Sequence, residues 1–356
     1  DVAVYQAMAH VISKENLINR EFIEKRTEGF QEYSKTLAGF TPQWAEKISG
    51  VPAEKIIEAA RLYAMANTAA IYWGMGISQS VHGTDNTLSI ANLALMCGHL
   101  GKPGTGVNPL RGQNNVQGCS DAGGLPGVYP GYQSVSDPVS KMKFEKKWHS
   151  ELNGSAGLTT LEMADAIGNN VISDFIIMGE NPLMSEPDLN KARKHISELQ
   201  NLIMIDIFLN ETGEYADIIF PAASFAEKEG PFTNSDRRVQ LIRKAFDPPG
   251  AARADWEIIC ELAKRVEDKI SQSPGSGFDF SSASEIWDEM ADLVPAFGGI
   301  SHKRIEEESG VHWPCPDKQH PGTPYLFAET FPRGKGLFNA LNLRVESEVE
   351  SSQYPY

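Results

Sequence analysis

The most restrictive part of the sequence is a polar segment with no hydrophobic period, Leu110-Arg111-Gly112-Gln113-Asn114-Asn115-Val116-Gln117-Gly118. Because it has no apolar face to bury, it is predicted to be a loop rather than a helix or a strand. Its side-chain amides, backbone N–H groups and single arginine are groups that bind a carboxylate or a polyanion. A solvated, asparagine-rich turn is the alternative. The glycine-dense flanks favour the binding loop.

Composition excludes several classes of function. The 356 residues are enough for about two or three domains with a sizeable core. Lys and Arg number 32 and Asp and Glu number 47, so the formal net charge is −15. An acidic chain without a basic run is a poor candidate for binding nucleic acid or an anionic membrane. No stretch approaches the roughly 18 consecutive apolar residues of a membrane span.

The four cysteines occur singly, at Cys97, Cys119, Cys260 and Cys315. None of them has the CxxC spacing of a zinc or iron–sulfur site, and a chain of this length does not need a disulfide framework. Cysteine usage of this kind predicts a reducing, cytoplasmic compartment. Because the chain begins at Asp1, we expect that a targeting segment was either removed or never included.

The opening third is predicted to contain helices that lead to one strand. The predicted helices are residues 2–13, 21–36, a short one beginning at Thr41-Pro42, and 52–66. Residues 69–73 are predicted to form a buried strand, and Gly74-Met75-Gly76 the turn that leaves it. Thr84 is the predicted cap of a helix to about residue 99. The order of strand, glycine turn and helix is the commonest ligand-facing unit of α/β folds.

The α/β alternation resumes after a glycine-rich stretch, residues 98–135, that is predicted to be an ordered but irregular loop. The predicted strands, buried on both faces as in a parallel sheet, are 174–178, 202–205 and 216–221. The predicted helices are 160–168 after a capping box of Thr159 and Glu162, then 187–199, 255–266 and one capped by Ser282 with Glu285. The remaining segments are a β excursion at 226–246, a linker at 271–284 and a loop-rich tail.

Two glycine turns that follow strands are candidate binding sites. Gly74 to Gln79 has the context of a phosphate-binding turn but lacks the third glycine of the dinucleotide fingerprint, so a structural turn is the alternative. Met178-Gly179-Glu180-Asn181-Pro182 follows another strand, and Asp206 ends the next one, where ribose or guanine donors are often accepted. The alternative for Asp206 is a residue that caps the strand end.

The cysteine and histidine residues carry weaker signals. Cys119 lies in the glycine-rich stretch without a neighbouring histidine, so an inert, buried thiol is favoured over a nucleophile or a metal ligand. His82 and His99 flank a predicted helix, which favours packing or capping over catalysis.

Taken together, these motifs resemble the catalytic subunit of molybdenum- or tungsten-dependent formate dehydrogenases, in the molybdopterin oxidoreductase superfamily. The resemblance spans roughly residues 1–330. It is carried by Gly98 to Gly118, Gly124-Leu125-Pro126, Tyr129-Pro130-Gly131-Tyr132, Met178 to Pro182, Asp217 to Pro221 and Glu227 to Arg238. It implies an α/β fold with two Rossmann-like three-layer α/β/α units and a small β excursion.

The resemblance also implies the residues of an active site. Arg111 would hold the carboxylate of formate while hydride leaves its carbon, and a guanidinium can hold such an anion through two parallel N–H donors. The implied cofactor is a pair of molybdopterin guanine dinucleotides (bis-MGD) holding molybdenum or tungsten. The residues implied for the first dinucleotide are Met75, Gly76, Gln79, Gly112 and Gln113. Those implied for the second are Gly179, Glu180, Asn181 and Asp206.

The chain also departs from the family pattern. The family carries a cysteine-rich segment that binds a 4Fe–4S cluster, then a cysteine or selenocysteine metal ligand followed by histidine, and this sequence has neither. We therefore expect the central piece of a larger subunit, inactive by itself, with no metal ligand of its own. The implied partners are formate and electron-transfer subunits carrying iron–sulfur or flavin centres.

The implied domain boundaries follow from the same resemblance. They are 1–112, the C-terminal part of a first α/β domain; 113–225, a second α/β domain; 226–254, a small β segment of a separate domain; 255–276, a helix returning to the second domain; and 277–356, a linker and loop-rich tail that we expect to lead to a missing C-terminal domain. The alternatives to formate oxidation are another molybdopterin oxidoreductase, a non-catalytic electron-transfer scaffold of the same superfamily, and a generic nucleotide-binding α/β protein.

Overall fold

Helices and strands alternate along the chain, and the computed structural model describes residues 1–270 and 277–341. The chain divides into two units: the first contains Asp1–Gly112 and Thr323–Tyr356, and the second contains Gln113–Gly322. Parts of two predicted segments, residues 271–276 of the linker and 342–356 of the tail, lie outside the described residues.

The first unit is mainly helical. Its elements are α1 (Val2–Lys14), α2 (Arg20–Arg26), β1 (Thr27–Glu28), α3 (Phe30–Thr36), α4 (Pro42–Ser49), α5 (Ala53–Met65), β2 (Ala70–Trp73), α6 (Met75–Ser78), α7 (Gly83–Cys97) and β3 (Gly106–Pro109). Its core contains Ala7 and Ile12 of α1, Ile56 of α5 and Leu93 of α7. The strands β2 and β3 pair in parallel, and Ile71 packs against this core.

The second unit holds the larger sheet. Its elements are α8 (Val116–Asp121), β4 (Val128–Tyr129), β5 (Gln133–Ser134), α9 (Pro138–Trp148), α10 (Thr160–Gly168), β6 (Asp174–Met178), α11 (Pro182–Ser185), α12 (Leu189–Ser197), β7 (Asn201–Asp206), β8 (Ile218–Pro221), β9 (Gly230–Thr233), β10 (Arg238–Ile242), α13 (Asp255–Ile270), α14 (Ala283–Leu293), α15 (His302–Glu308) and β11 (Val311–His312). The tail adds β12 (Gly336–Leu337) to the first unit, where it pairs in parallel with β1.

The parallel sheet of the second unit has the strand order β6-β7-β8. Successive side chains of a strand point to opposite faces, and β7 is buried on both. Leu202 and Met204 pack with residues of α11 and α12, whereas Ile205 packs with Ala222 and with Ile258 of α13. Helices therefore cover both faces of this sheet, and the predicted three-layer α/β/α arrangement is confirmed for this unit.

The predicted β excursion is also confirmed. The strands β9 and β10 form an antiparallel hairpin, with Val239 opposite Thr233. The tail contributes a third strand, because Val311 pairs with Val239 in an antiparallel arrangement. The tail after the helix that Ser282 caps is predicted to be loop-rich, and in the described residues it also contains the short elements α15, β11 and β12. The strands β11 and β12 pair with residues that are distant in the sequence, so no local pattern indicates them.

Several predicted elements have different bounds in the structure. The predicted helix 21–36 is interrupted at Thr27–Glu28, because these residues pair with β12. The helix predicted to start after Thr84 starts instead at Gly83, with His82 at the capping position. An ideal Cβ on Gly83 would lie 2.0 Å from the Ser78 carbonyl oxygen, so a close backbone approach determines where α7 begins. The irregular stretch 98–135 also contains β3, α8 and the β4–β5 pair.

The prediction that the strands are buried on both faces is wrong outside β7. Ile176 and Met178 of β6 are 55% and 52% exposed, and Ile218 of β8 is 48% exposed. Tyr72 of β2 is 65% exposed. In the described sheet β6 and β8 are edge strands, and only β7 has a paired strand on both sides.

The described residues contain no helix long and apolar enough to cross a membrane.

Candidate functional site

The carboxyl edge of the β2–β3 sheet carries the first group of predicted site residues. The two strands run in parallel, with Trp73 opposite Pro109. The Leu110 N–H donates to the Trp73 carbonyl oxygen across 2.7 Å, which extends the pairing by one residue. The glycine turn after β2 and the arginine segment after β3 therefore leave the sheet at the same edge. This edge is where open α/β sheets bind their ligands.

The turn after β2 is a short helix rather than a plain turn. Residues Met75–Ser78 form α6, which the nearly buried Ile77 anchors. The Asn86 side-chain amide donates to the Ile77 carbonyl oxygen across 2.9 Å and fixes α6 to α7. Met75 and Gln79 are exposed on either side of this anchor. The segment is thus held by its buried residue while its predicted binding residues face outward.

The backbone near Arg111 at this edge contains glycines with free space beside them. Arg111 and Gly112 are both exposed where the chain leaves β3. An ideal Cβ built on Gly74, Gly76 or Gly112 would meet no atom within 4 Å. The backbone at these three glycines can therefore be approached closely by a ligand, which a side chain at these positions would hinder.

The carboxyl edge of the β6–β7–β8 sheet carries the second group, in a groove of about 620 Å³. The residues that line it are Asn114, Asn115, Gly179, Glu180, Asn181, Ile205, Asp206, Ile207, Phe208, Asn210, Ala222, Ala223, Ser224, Phe225, Lys228, Phe232 and Asp255. All four residues implied for the second dinucleotide are therefore on one groove. Gln113, implied for the first dinucleotide, is exposed beside Asn114 in the second unit and does not line this groove.

Gly179 gives the groove its open floor after β6. Its φ is +65°, in the left-handed region that a side chain disfavours, and an ideal Cβ there would meet nothing within 4 Å. Its N–H donates to the Ile205 carbonyl oxygen across 2.9 Å, which continues the pairing of β6 with β7. The chain can therefore turn sharply at the strand end without a side chain entering the groove.

The side chain of Asn181 forms hydrogen bonds with other residues of the protein beside the groove. Its Nδ2 donates to the Glu211 carboxylate across 2.7 Å, and its Oδ1 accepts the Thr212 hydroxyl across 2.7 Å. The donated hydrogen bond holds the pKa of Glu211 below its usual value. Asn181 therefore orders the segment after β7, and a ligand would meet its remaining donor or its backbone.

Asp206 both caps a strand and lines the groove. Its Oδ1 accepts the Phe208 N–H across 3.0 Å, and its Oδ2 accepts the Asn210 side-chain amide across 3.2 Å. These bonds match the strand-capping alternative. Each carboxylate oxygen has a second lone pair, so the same carboxylate can accept a donor from a ligand in the groove.

Sequence reasoning missed two charged residues of this groove. Lys228 forms an ion pair with Asp255, and each side chain is about one-quarter exposed. Lys228 precedes β9 and Asp255 begins α13, so the ion pair joins two separate segments of the chain that both line the groove. An acidic residue in the first turn of a helix was the available signal for Asp255. The pair brings the single lysine into a groove that also holds Glu180 and Asp206.

Cysteine and histidine contribute no cluster to either edge. Cys119 is exposed, so the expectation of a buried thiol is wrong for it, whereas the other cysteines are buried. The His99 Nε2 lies 2.8 Å from the Tyr63 carbonyl oxygen, in agreement with a packing role. Among the residues that the structure describes, no three His, Cys, Asp or Glu side chains are grouped so that they could hold a metal ion.

Known proteins resemble the chain over nearly its whole length. It is 45% identical over 358 residues to the F420-dependent formate dehydrogenase subunit alpha of Methanocaldococcus jannaschii, which covers 100% of this chain and 52% of that protein. It is 42% identical over 340 residues to formate dehydrogenase H of Escherichia coli, which covers 95% of this chain and 46% of that protein. The chain thus spans about half the length of the curated relatives it matches.

A solved structure shares the fold. Acetylene hydratase from Pelobacter acetylenicus superposes with a TM-score of 0.67 at 18% identity, over 96% of this chain and 48% of that protein. The sequence itself matches the molybdopterin oxidoreductase family over residues 1–265. With this match over most of its length, the chain belongs to the molybdopterin oxidoreductase family.

Proposed function

We propose that this chain is part of the catalytic subunit of a formate dehydrogenase, which oxidises formate to carbon dioxide. In the reaction formate loses a proton and two electrons. The observation that carries the proposal is the exposed Arg111 at the carboxyl edge of the β2–β3 sheet, beside the open segment that follows β2. The relatives named formate dehydrogenase, at 42–45% identity, support the same substrate.

The residues at both edges fit a pterin guanine dinucleotide. Such a group presents a pyrophosphate, which binds backbone N–H groups, and ribose and guanine donors, which bind carboxylates. Gly76 and Gly112 offer open backbone in the first unit. In the second unit Gly179 leaves room for a ligand, although its own N–H already donates to the Ile205 carbonyl oxygen. Glu180 and Asp206 offer carboxylates in the groove. We infer that Met75, Gly76, Gln79, Gly112 and Gln113 hold one dinucleotide, and Gly179, Glu180, Asn181 and Asp206 the other.

The role of this chain's own residues is to bind and orient formate. The guanidinium of Arg111 is permanently charged and presents parallel N–H donors, so it holds the two carboxylate oxygens of formate and leaves the C–H bond pointing away. When bound, the cofactor with its molybdenum or tungsten supplies the acceptor for two electrons. We infer that a 4Fe–4S cluster and partner subunits with iron–sulfur or flavin centres would serve as the further electron acceptors. The singly placed cysteines support a cytoplasmic setting.

The substitution Arg111→Lys in the native complex tests the proposal. Lysine keeps the charge but loses the two-pronged contact, and one hydrogen bond to a charged group is worth about 1.5–3 kcal/mol. We therefore expect kcat/KM for formate to fall by about 10- to 150-fold. Arg61→Lys is the matched control, because Arg61 is an exposed arginine of the same unit that forms an ion pair with Glu15.

The control should keep the kinetics of the unsubstituted complex. Near-normal formate kinetics in Arg111→Lys would contradict the assigned role. They would favour another oxidoreductase of the family or a non-catalytic scaffold.

A further inference from the structure

The helix α8 forms where the sequence predicts a loop, and its inward face is polar. Gln117 is 7% exposed and Asp121 is 1% exposed. They are four residues apart, so they lie on the same face of the helix. Burying a carboxylate costs free energy unless charged or hydrogen-bonding partners surround it. The buried face of α8 is therefore held by polar side chains instead of apolar ones.

The carboxylate of Asp121 has such partners on α8 itself and on three other segments of the second unit. Its Oδ1 accepts the Gln117 side-chain amide and the Tyr132 hydroxyl, each across 2.8 Å. Its Oδ2 accepts the Trp313 indole N–H across 2.9 Å. The Arg237 guanidinium lies 5.5 Å from the centre of the Trp313 ring, donates to the Trp313 carbonyl oxygen and interacts electrostatically with Asp121. A hydrogen bond thus connects the buried carboxylate of Asp121 with the segment that follows β11.

The other end of α8 reaches the groove. Asn115 precedes the helix, and its Oδ1 accepts the Thr233 N–H of β9 across 2.9 Å. Asn114 and Asn115 line the groove, whereas Asp121 does not. At 1.5 Å per residue, Asp121 lies about 9 Å along the helix from Asn115. The helix α8 therefore connects Asp121 with the Asn114–Asn115 turn on the groove.

We propose that Asp121 is a positioning residue for this groove. Its buried carboxylate fixes α8, and α8 holds the Asn114–Asn115 turn on the groove wall before a ligand arrives. A turn that is ordered in advance costs less conformational entropy when the ligand binds. The nature of that ligand rests on the proposed function, whereas the ordering of the turn does not.

The test compares Asp121→Asn and Trp313→Phe with the control Glu289→Gln in the full-length subunit within its native complex. Asparagine removes the charge, and phenylalanine removes only the indole donor. Glu289 also accepts a tryptophan N–H, from Trp148 across 3.0 Å, but does not line the groove. Amide hydrogen exchange is measured over residues 113–121.

In both test variants the exchange of this segment should accelerate by at least about 10- to 150-fold, the effect of one lost hydrogen bond to a charged group. The control should leave it unchanged. Equal exchange in all proteins, or acceleration spread evenly over the second unit, would overturn the positioning role. Trp313→Phe decides the question if Asp121→Asn does not fold.

The guanine nucleotide content of the same proteins separates this proposal from the proposed function. Local acceleration with a lower nucleotide content supports both. Local acceleration with an unchanged content supports the positioning role and contradicts the assignment of a dinucleotide to the groove.

Discussion

Gly179 and Gly250 form a matched pair for testing the groove by substitution with alanine. Both belong to the second unit, with φ values of +65° and +58°, and an ideal Cβ would meet nothing within 4 Å at either position. Only Gly179 lines the groove. The two substitutions therefore impose the same backbone cost but place a methyl group in different surroundings.

The expected magnitudes follow from this geometry. A residue with a side chain costs about 1–2 kcal/mol in the left-handed region, so both variants should lose about that much free energy of unfolding. In Gly179→Ala the methyl group also occupies space that the dinucleotide would fill. Overpacking of this kind costs about 1–3 kcal/mol, which corresponds to about 5- to 150-fold weaker retention.

The assay measures two quantities in the native complex carrying each variant. Thermal denaturation should show similar shifts of a few degrees for both substitutions. The guanine nucleotide released per subunit should fall in Gly179→Ala and stay unchanged in Gly250→Ala. Equal nucleotide content in the two variants, at equal thermal shifts, would refute the assignment of the groove.

Two further predictions concern the cysteine and histidine residues. Burial raises the pKa of the Cys97 thiol to about 12, whereas Cys119 is exposed. Iodoacetamide at mildly alkaline pH should therefore alkylate Cys119 much faster than Cys97. Equal alkylation rates of the two thiols, measured by peptide mass spectrometry, would contradict this. Burial lowers the pKa of His99, whose ring nitrogen pairs with the Tyr63 carbonyl oxygen. The folded state thus binds a proton at His99 less readily than the unfolded chain does. The free energy of unfolding that neutral His99 contributes is therefore complete above the ordinary histidine pKa of about 6.5. It is lost as the pH falls below that value. The drop in unfolding free energy between about pH 7.5 and 5.5 should therefore be smaller in His99→Gln, and an unchanged drop would refute the role of His99.

Local signals in the sequence predicted the elements whose bounds depend on neighbouring residues. The capping box of Thr159 with Glu162 is present at α10, and Thr41 caps α4 through a hydrogen bond from the Trp44 N–H. The helix expected over 21–36 failed because Thr27 pairs with Gly336, far along the chain. Such a pairing leaves no periodic trace near Thr27, so a helix pattern continues across it.

The candidate site likewise contains residues that the sequence could predict and residues that it could not. Gly179 and Asp206 could be expected at one edge, because the carboxyl ends of neighbouring parallel strands meet there, and the structure has both on one groove. Their role in binding stays a prediction. The ion pair of Lys228 with Asp255 and the bond of Trp313 to Asp121 join residues from separate elements. Only the folded chain brings these partners together.

Formate oxidation by the native complex that contains this chain tests the central claim most directly. The complex is purified with its metal quantified, and formate-dependent reduction of an artificial electron acceptor is measured against a complex carrying Arg111→Ala. We expect turnover with formate that depends on Arg111. A fully metal-loaded complex that does not oxidise formate, or that oxidises it equally well without the arginine, would contradict the account.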